Sequence, residues 1–323
     1  MIRLAWRQFR VQSLVGAGAL VCVAAVLAAT WPHVSRLAEM VPRPALGGFY
    51  GVVSATLDML VVIVPGLIGV FWGAPLVSRE LETHSILLAW TQSVTRRRWL
   101  AVRLGLVGLC GVATSGLFAL MGNIWSGPVD QIHMDRFAPL VFGARGVVPL
   151  GYAAFSFALG VTLGVVMRRT QPAMAATLAA FAGIRAAVTY LVRPYFGAPT
   201  SETFALDSSD VALGLFPSEQ TVKAYVEMPN ALVRSVQIVD GSGQTLTPQA
   251  VTNAFPDMGA GQPAGLGWFQ DGVDKLASAY HVVVSYQPAD RFWTFQAMET
   301  ALFAGLALVL LALCFWTVER RLP

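Results

Sequence analysis

Long apolar stretches without charged residues recur along the chain and predict helices that span a membrane. A spanning helix needs about 20 mostly apolar residues, because each residue rises about 1.5 Å through a hydrocarbon core about 30 Å thick. Five stretches carry no charged residue: 11–35, 59–78, 104–129, 146–167 and 300–318. A sixth, residues 170–192, is interrupted only by Arg185. The pattern therefore predicts about six helices, at 12–31, 58–77, 101–122, 147–167, 172–192 and 297–317.

Arginines cluster at alternate ends of these predicted helices and indicate their orientation. Basic residues near the ends of spans favour the cytoplasmic side. They gather at the N-terminus, after the second span, in the short turn after the fourth span and at the C-terminus. This distribution predicts a multi-pass protein of the cytoplasmic (inner) membrane with both termini in the cytoplasm. Residues 1–11, where aromatic and arginine stripes alternate at helical spacing, predict a short helix lying in the inner interface; an extended start to the first span is the alternative.

A different pattern follows the fifth span. Residues 193–292 contain ten acidic residues and frequent Pro and Gly, and by the predicted orientation they lie outside the cytoplasm. The alternation in 233–239, the turn signal at 240–243 and the run at 280–286 predict strands. We therefore expect an all-α polytopic membrane protein with a small α+β extracytoplasmic domain between helices 5 and 6, although an ordered loop is the alternative. Residues 293–323 would form the sixth helix and a cytoplasmic tail.

Composition agrees with a membrane protein and excludes several kinds of chemistry. Hydrophobic residues make up 55% of the chain and charged residues only 12%, whereas a soluble domain carries about 25% charge. The three cysteines lie in apolar stretches without a CxxC pair, which argues against a disulfide scaffold, a metal site or a redox thiol. The chain has no HExxH or GxSxG motif. Neither of its two lysines follows a glycine, so it has no P-loop and no nucleotide site of that type.

The segment after the second span combines a charged helix, a polar turn and an arginine cluster between two spans. Arg79, Glu80 and Glu82 open the segment, and Arg98 precedes the third span. A short cytoplasmic helix held between two spans can transmit force from a partner to the membrane helices.

This stretch resembles the segment after the second helix of ABC-2 type transporter permeases, especially the actinobacterial ones. The matching parts are the acidic start, the turn Thr91-Gln92-Ser93 and the entry Arg98-Trp99-Leu100. Residues 286–296 with Glu299 are similar to the lead-in to the last helix of that family. The resemblance implies that residues 79–95 form the coupling helix, contacting an ATPase through a set of polar and charged side chains: Arg79, Glu80, Glu82, His84, Thr91, Gln92, Arg96, Arg97 and Arg98.

The resemblance further implies a transmembrane subunit of an ABC exporter, which is not itself an enzyme. Its expected partners are two copies of a cytoplasmic ABC ATP-binding subunit, a second permease copy or paralogue, and membrane lipids, with no nucleic acid. The chain would hold no cofactor, and ATP with Mg²⁺ would bind to the partner subunit. The cargo would be hydrophobic or amphipathic, such as a drug, a natural product or a lipid.

Charged and aromatic residues within or beside the spans are candidates for the substrate pathway: Asp58, Trp72, Arg185 and Glu299. A charge inside a span is a functional candidate because it is costly there. Arg185 would contact an anionic group of a substrate, pair with Asp58 or Glu299, or extend to the outer interface. Two other functions remain open: a non-transporting anchor or sensor with an extracytoplasmic ligand- or partner-binding domain, and a proton-coupled carrier, which an expected lack of buried acidic residues in the spans disfavours.

Overall fold

The computed structural model describes most of the chain and divides it into two compact units. The described residues are 2–40, 48–82, 96–133, 135–206, 211–216, 221–226, 228–256 and 267–321. The first unit combines Met1–Phe196 with Phe292–Pro323, and the second is Gly197–Arg291. The long polar segment of the sequence thus forms a unit of its own.

The described part of the chain contains six helices that are long and apolar enough to cross a membrane. In order, these first to sixth spans are Leu14–Leu37, Gly48–Glu82, Leu100–Asp130, Val148–Met167, Thr170–Tyr195 and Ala289–Arg320. The predicted fold class, six spanning helices with a small strand-containing domain after the fifth, is confirmed. The second span starts at Gly48 rather than at residue 58, because Asp58 lies inside the helix instead of at its edge.

The helices of both units, in chain order, have the following bounds. They are α1 Ile2–Glu39, α2 Gly48–Ile68, α3 Pro75–Glu82, α4 Arg96–His133, α5 Pro139–Ala144, α6 Val148–Met167, α7 Thr170–Ala187, α8 Pro248–Ala254, α9 Gly267–Ala277 and α10 Phe292–Arg321. One π-helical turn, Gly69–Gly73, joins α2 to α3, and another, Val188–Val192, continues α7. Because α1 is continuous, the described residues of the predicted interfacial segment, 2–11, belong to the same helix as the first span.

The fourth span is the central helix of the first unit. It packs against the second, third, fifth and sixth spans, whereas the first span packs mainly against the third. In the most apolar 18-residue stretch of each helix, 72% of the residues are buried in the fourth span, against 11% in the first. The fourth span therefore connects the second, third, fifth and sixth spans.

The second and fourth spans cross with their backbones in close contact. Each supplies two glycines four residues apart, Gly69 and Gly73 on the second span and Gly160 and Gly164 on the fourth. A Cβ atom added at Gly73 would lie only 2.7 Å from the Phe157 carbonyl oxygen. Small residues allow such an approach, and close packing of this kind is a main source of helix association in lipid.

The second span changes its helical geometry at this crossing. Its π turn is closed by a 2.9 Å hydrogen bond from the Ala74 amide to the Gly69 carbonyl, and Pro75 then begins α3. The Ser156 hydroxyl of the fourth span donates to the Pro65 carbonyl. A backbone carbonyl within a membrane needs a partner inside the protein, so the fourth span supplies hydrogen bonding as well as van der Waals contact here.

The second unit contains a three-stranded antiparallel sheet and a separate hairpin. The strands are β1 Thr200–Ala205, β2 Val211–Phe216, β3 Thr221–Val226, β4 Leu232–Asp240 and β5 Tyr280–Gln287. The sheet has the order β1-β5-β4, and β2 pairs with β3. The two runs predicted as strands, 233–239 and 280–286, therefore lie within β4 and β5 and pair with each other, with a bulge between Val233 and Ser235.

The core of the second unit lies between the strands and the helices α8 and α9. Val282 and Val284 of β5 are fully buried in it, together with Val251 of α8. Phe255 packs against Trp268 and Phe269, with ring centroids 6.2 and 5.9 Å apart. The unit has an apolar core of its own, as expected for a domain and not for a surface loop.

The turn after β4 is fixed by hydrogen bonds to one side chain. Asp240 Oδ1 accepts from the Ser242 amide at 2.9 Å, the Ser242 hydroxyl at 2.7 Å and the Gln244 amide at 2.9 Å. These bonds, the Ser242 hydroxyl first, hold the pKa of Asp240 below its usual value. Gly243 has φ +84°, a conformation that favours glycine. The turn predicted at 240–243 is confirmed.

We predict that Gly160→Ala destabilises the first unit. The added Cβ would lie 2.8 Å from the Ala74 nitrogen and would overlap the Gly69 carbonyl, so the two spans must move apart. Overpacking of this kind costs about 1–3 kcal/mol. The unfolding midpoint in detergent, measured by thermal denaturation, should fall.

Gly105→Ala is the matched control. Gly105 lies in α4, and apart from its neighbours along that helix, no atom of the described residues lies within 4 Å of a Cβ built there. This variant should be neutral or slightly stabilising, because Ala favours a helix more than Gly does. Equal midpoints for the two variants would contradict the close crossing.

Candidate functional site

At the Arg-rich end of the first unit, a partly buried ion pair links the end of α3 to the beginning of α4. Arg103 of α4 donates to the Glu80 carboxylate of α3. Their side chains are only 12% and 20% exposed. Glu80 therefore joins the second span to the third instead of lying free on the surface.

A second connection links α3 to the start of the fifth span. The Thr170 hydroxyl donates to Glu82 at 2.7 Å, and the Thr170 amide lies 3.4 Å from the same carboxylate. The Ser78 hydroxyl lies 3.0 Å from that of Thr170. A negative charge at the N-terminus of α7 is favourable, because the helix dipole and the free amides point toward it. Three spans are thus tied together at α3.

The predicted coupling residues are distributed unevenly over the described chain. Arg79, Glu82 and Arg98 are exposed. Arg96 and Arg97 begin α4. His84, Thr91 and Gln92, with the rest of residues 83–95, lie outside the described residues. The described part of the predicted coupling helix, residues 79–82, continues α3 without a break.

At the opposite end of the second span, Arg145 holds two carboxylates from different helices. It lies in the turn before α6, is 4% exposed, and donates to Asp58 of α2. Its Nε and Nη2 atoms lie 3.1–3.2 Å from the Asp130 carboxylate of α4. Burial by itself would lower the pKa of Arg145, but the hydrogen bonds and charges of Asp130 and Asp58 outweigh it and raise the pKa. The guanidinium therefore stays charged and links three elements.

The turn that carries Arg145 is further fixed by two side-chain amides. Asn123 accepts from the Gly146 amide at 2.9 Å and donates to its carbonyl at 3.2 Å. Gln296 accepts from the Val147 and Val148 amides at 3.1 Å each. Gly146 has φ +61°. These bonds satisfy the backbone at the start of α6 and add the sixth span to the connected set.

A second buried ion pair joins the fifth and sixth spans. Arg193 binds Glu299 through two hydrogen bonds, of 2.8 and 2.9 Å, and the pair is 2% and 0% exposed. The Tyr152 hydroxyl of the fourth span also donates to Glu299. Arg193 lies over the Phe142 ring, 4.1 Å from its centroid. A bidentate pair with a further donor is a well-satisfied buried site.

The structure corrects the pairing expected for Arg185. Asp58 binds Arg145 and Glu299 binds Arg193, so neither carboxylate serves Arg185. Arg145 and Arg193, which do bind carboxylates, lie at the ends of spans. From the sequence, they were expected only to flank the spans. A carboxylate inside a predicted span indicates a basic partner, but the sequence does not say which arginine the fold brings to it.

Trp72 lines an apolar groove between the first, second and third spans. The groove has a volume of about 660 Å³, and its walls also include Phe71, Leu67, Phe118 and Thr114. Asp58, Arg185 and Glu299 are not among its lining residues. Trp72 therefore lies apart from the other three residues predicted for the substrate pathway, whereas Arg185 and Glu299 both lie beside Tyr152.

Sequence reasoning overlooked several residues that organise this unit. The two Gly-x-x-x-Gly motifs, 69–73 and 160–164, are a signal that would have predicted the helix crossing. Asn123 and Gln296, polar amides inside or beside apolar stretches, could have been recognised as backbone partners because an unsatisfied amide in a membrane is costly. Nothing in the sequence pattern singled out Arg145 or Arg193.

We predict that Glu299→Gln is strongly destabilising. The change leaves the Arg193 guanidinium buried without a counter-charge, and breaking a buried pair from one side costs about 3–5 kcal/mol. Thermal unfolding in detergent measures the loss. Glu39→Gln, at the exposed end of α1, is the control and should change stability by less than about 0.5 kcal/mol.

The double variant Arg193→Met/Glu299→Leu separates charge from packing. It removes both charges, and apolar replacement of a buried pair is often close to neutral. We expect it to be more stable than Glu299→Gln. If the double variant loses as much stability as Arg193→Met and Glu299→Leu lose together when measured singly, the pair does not act as a unit.

Comparison with known proteins places this arrangement in a family. Residues 17–193, more than half of the chain, match the family described as ABC-2 membrane transporter related. Neither the curated proteins nor the solved structures contain a significant match to the chain. The matched segment covers most of the first span and the second to fourth spans completely, and it ends at Arg193 in the fifth. The chain belongs to the ABC-2 membrane transporter related family and is a multi-pass membrane permease of the ABC-2 type.

Proposed function

We propose that this permease is the transmembrane subunit of an ATP-driven exporter of hydrophobic or amphipathic compounds. The observation that carries the proposal is the attachment of α3 to the third and fifth spans through Glu80–Arg103 and Glu82–Thr170. Together with family membership, it gives a mechanical reason why a partner acting on this end would move several spans at once.

The energy source in this proposal is a separate subunit. The chain has no P-loop, so ATP with Mg²⁺ would bind to a cytoplasmic ABC ATP-binding subunit, present in two copies. A second permease copy or a paralogue would complete the transporter. The Arg-rich end would face the cytoplasm, as the positive-inside rule favours, and residues 79–95 would contact the ATPase.

The proposed cargo follows from the groove beside Trp72. Apart from the Thr114 hydroxyl and the backbone, the groove is lined by apolar and aromatic side chains. Ligand sites for apolar compounds are typically of this volume and character, with few polar groups to fix orientation. A drug, a natural product or a lipid tail suits it, and a strongly hydrated solute does not.

Coupling would proceed through the close crossing of the second and fourth spans. ATP binding would draw the ATPases together and move α3, and the closely packed helices would follow as rigid elements. Packed interfaces switch between discrete arrangements instead of deforming smoothly. The outward-facing state would arise from such a switch.

The first experiment is co-purification in detergent with a co-expressed ABC ATP-binding subunit from the same organism. We expect a stable complex with wild-type chain, whose ATP hydrolysis is stimulated by an apolar compound. A chain that purifies alone and leaves hydrolysis unchanged would overturn the proposal and favour the anchor or sensor, for which the separately folded second unit would be the ligand-binding part.

Glu80 and Arg103 offer a specific test of coupling. Glu80→Gln removes the ion pair between the second and third spans, and we expect a loss in compound-stimulated ATP hydrolysis of about fivefold, equivalent to about 1 kcal/mol. The reversed pair Glu80→Arg/Arg103→Glu should recover part of that loss, because it restores the attraction. Glu39→Gln is the control and should behave as wild type.

We expect the complex itself to survive the Glu80→Gln change, because the Glu80 carboxylate is bound to Arg103 and the other residues of 79–95 would still contact the ATPase. Co-purification yield is therefore measured alongside hydrolysis. Loss of the complex together with no recovery in the reversed pair would mean that Glu80 contacts the ATPase directly, and the linkage to Arg103 would then not be the coupling element.

A further inference from the structure

Arg185 is a charged side chain inside the fifth span without a hydrogen bond to any residue that the structure describes. Its Nε atom is buried and has no partner there. It lies ten residues before the end of the span at Tyr195, roughly 15 Å along the helix. A guanidinium at such a depth is costly unless acceptors reach it, so the missing acceptors need an explanation.

The surroundings of Arg185 leave room beside the guanidinium. A Cβ atom at Gly143 would lie 2.7 Å from Nη2 of Arg185 and 3.5 Å from the Val62 side chain. The absence of a side chain at 143 therefore makes space for the guanidinium. The guanidinium also stacks over the Tyr152 ring, with the Cζ atom of Arg185 5.4 Å from the ring centroid. These neighbours supply contact and a cation–π attraction but no carboxylate.

The charges around Tyr152 do not balance. Its ring contacts Arg185, and its hydroxyl donates to Glu299, which is already bound in bidentate fashion by Arg193. Among the residues that the structure describes, two arginines thus share the neighbourhood of a single carboxylate, which leaves an excess of one positive charge there. The Arg145 cluster differs, since its buried arginine faces two carboxylates, one of which also lies 4.0 Å from the exposed Arg136.

We propose that Arg185 binds the acidic group of an amphiphile, a carboxylate or a phosphate attached to an apolar tail. The planar guanidinium forms charge-assisted hydrogen bonds with such oxygens, and the apolar side chains around it suit a tail and not a small hydrated ion. The acidic group supplies both the missing acceptors and the missing negative charge. As a statement about cargo, this inference rests on the proposed export function, whereas binding itself does not.

Binding is tested on the purified full-length chain without any ATPase. The probes are oleate and oleyl alcohol, which share a tail and differ in the charged group, added to protein in a neutral detergent. We expect oleate to bind wild type about 10- to 100-fold more tightly than oleyl alcohol, as estimated from hydrogen bonds to charged groups. Titration with a thermal-shift readout measures both affinities.

Three variants identify the residue responsible. Arg185→Gln should bind both probes equally, while Arg185→Lys keeps the charge and should retain part of the preference. Arg36→Gln removes an arginine from the exposed end of α1 and should keep the full preference. A folded Arg185→Gln that still prefers oleate, or an Arg36→Gln that loses the preference, would overturn the proposal.

Stability without a ligand is a second readout that does not depend on the probes. Removing a partly buried charge whose Nε atom has no partner should leave the unfolding midpoint of Arg185→Gln unchanged or higher. A clear fall would mean that Arg185 is a structural residue whose partners are already within the protein, and the site would be rejected.

The acidic group could come from a membrane lipid or from a free amphiphile. Native mass spectrometry of protein from nanodiscs of phosphatidylcholine, with and without phosphatidylglycerol, distinguishes these sources. Retained phosphatidylglycerol on wild type but not on Arg185→Gln identifies a lipid headgroup, and oleate binding without lipid retention identifies a free amphiphile. If wild type neither retains phosphatidylglycerol nor binds oleate, and the ATPase complex is still functional, the anion site is rejected while the proposed export function stands.

Discussion

The fold of the membrane unit depends on how charged and polar groups are satisfied where lipid replaces water. Arg145 binds Asp58 and Asp130, Arg193 binds Glu299, and amides of Asn123 and Gln296 bind the turn before α6. Each of these groups would be costly inside a membrane by itself. Because the partners come from different spans, satisfying them also fixes how the spans are arranged. The Arg145 turn brings the second, third, fourth and sixth spans together in this way.

The close crossing of the second and fourth spans adds a rigid element to this polar framework. Glycines on both helices allow backbone contact, and Ser156 satisfies the Pro65 carbonyl where the second span changes to a π turn. From this crossing the second span continues directly into α3, whose carboxylates hold Arg103 and Thr170. A displacement at α3 would therefore act on the second, third and fifth spans together. This linkage is the physical basis of the coupling proposed for the permease.

Arg185 differs from the other arginines of this framework, and the proposed anion site rests on that difference. The other arginines buried at the same end, Arg145 and Arg193, bind carboxylates through several hydrogen bonds, whereas Arg185 has an aromatic ring and a glycine beside it. The protein evidently contains the means to neutralise a buried arginine. Because Arg185 is not neutralised in this way, a ligand with an acidic group can neutralise it. The apolar groove beside Trp72 independently suggests a ligand with an apolar part.

The sequence by itself determined the number of spans, the helical class and the presence of a mixed domain after the fifth span. These features follow from local properties: the length of an apolar run against the membrane thickness, and the alternation in residues 233–239. The family resemblance rested likewise on a contiguous motif. Only the tertiary structure decided which arginine binds which carboxylate, that Glu80 faces Arg103, and that Arg185 has no carboxylate partner within the described part of the chain. Such choices depend on contacts between residues up to about a hundred positions apart, as for Arg193 and Glu299, and the spacing along one helix carries no information about the neighbour that packs against it.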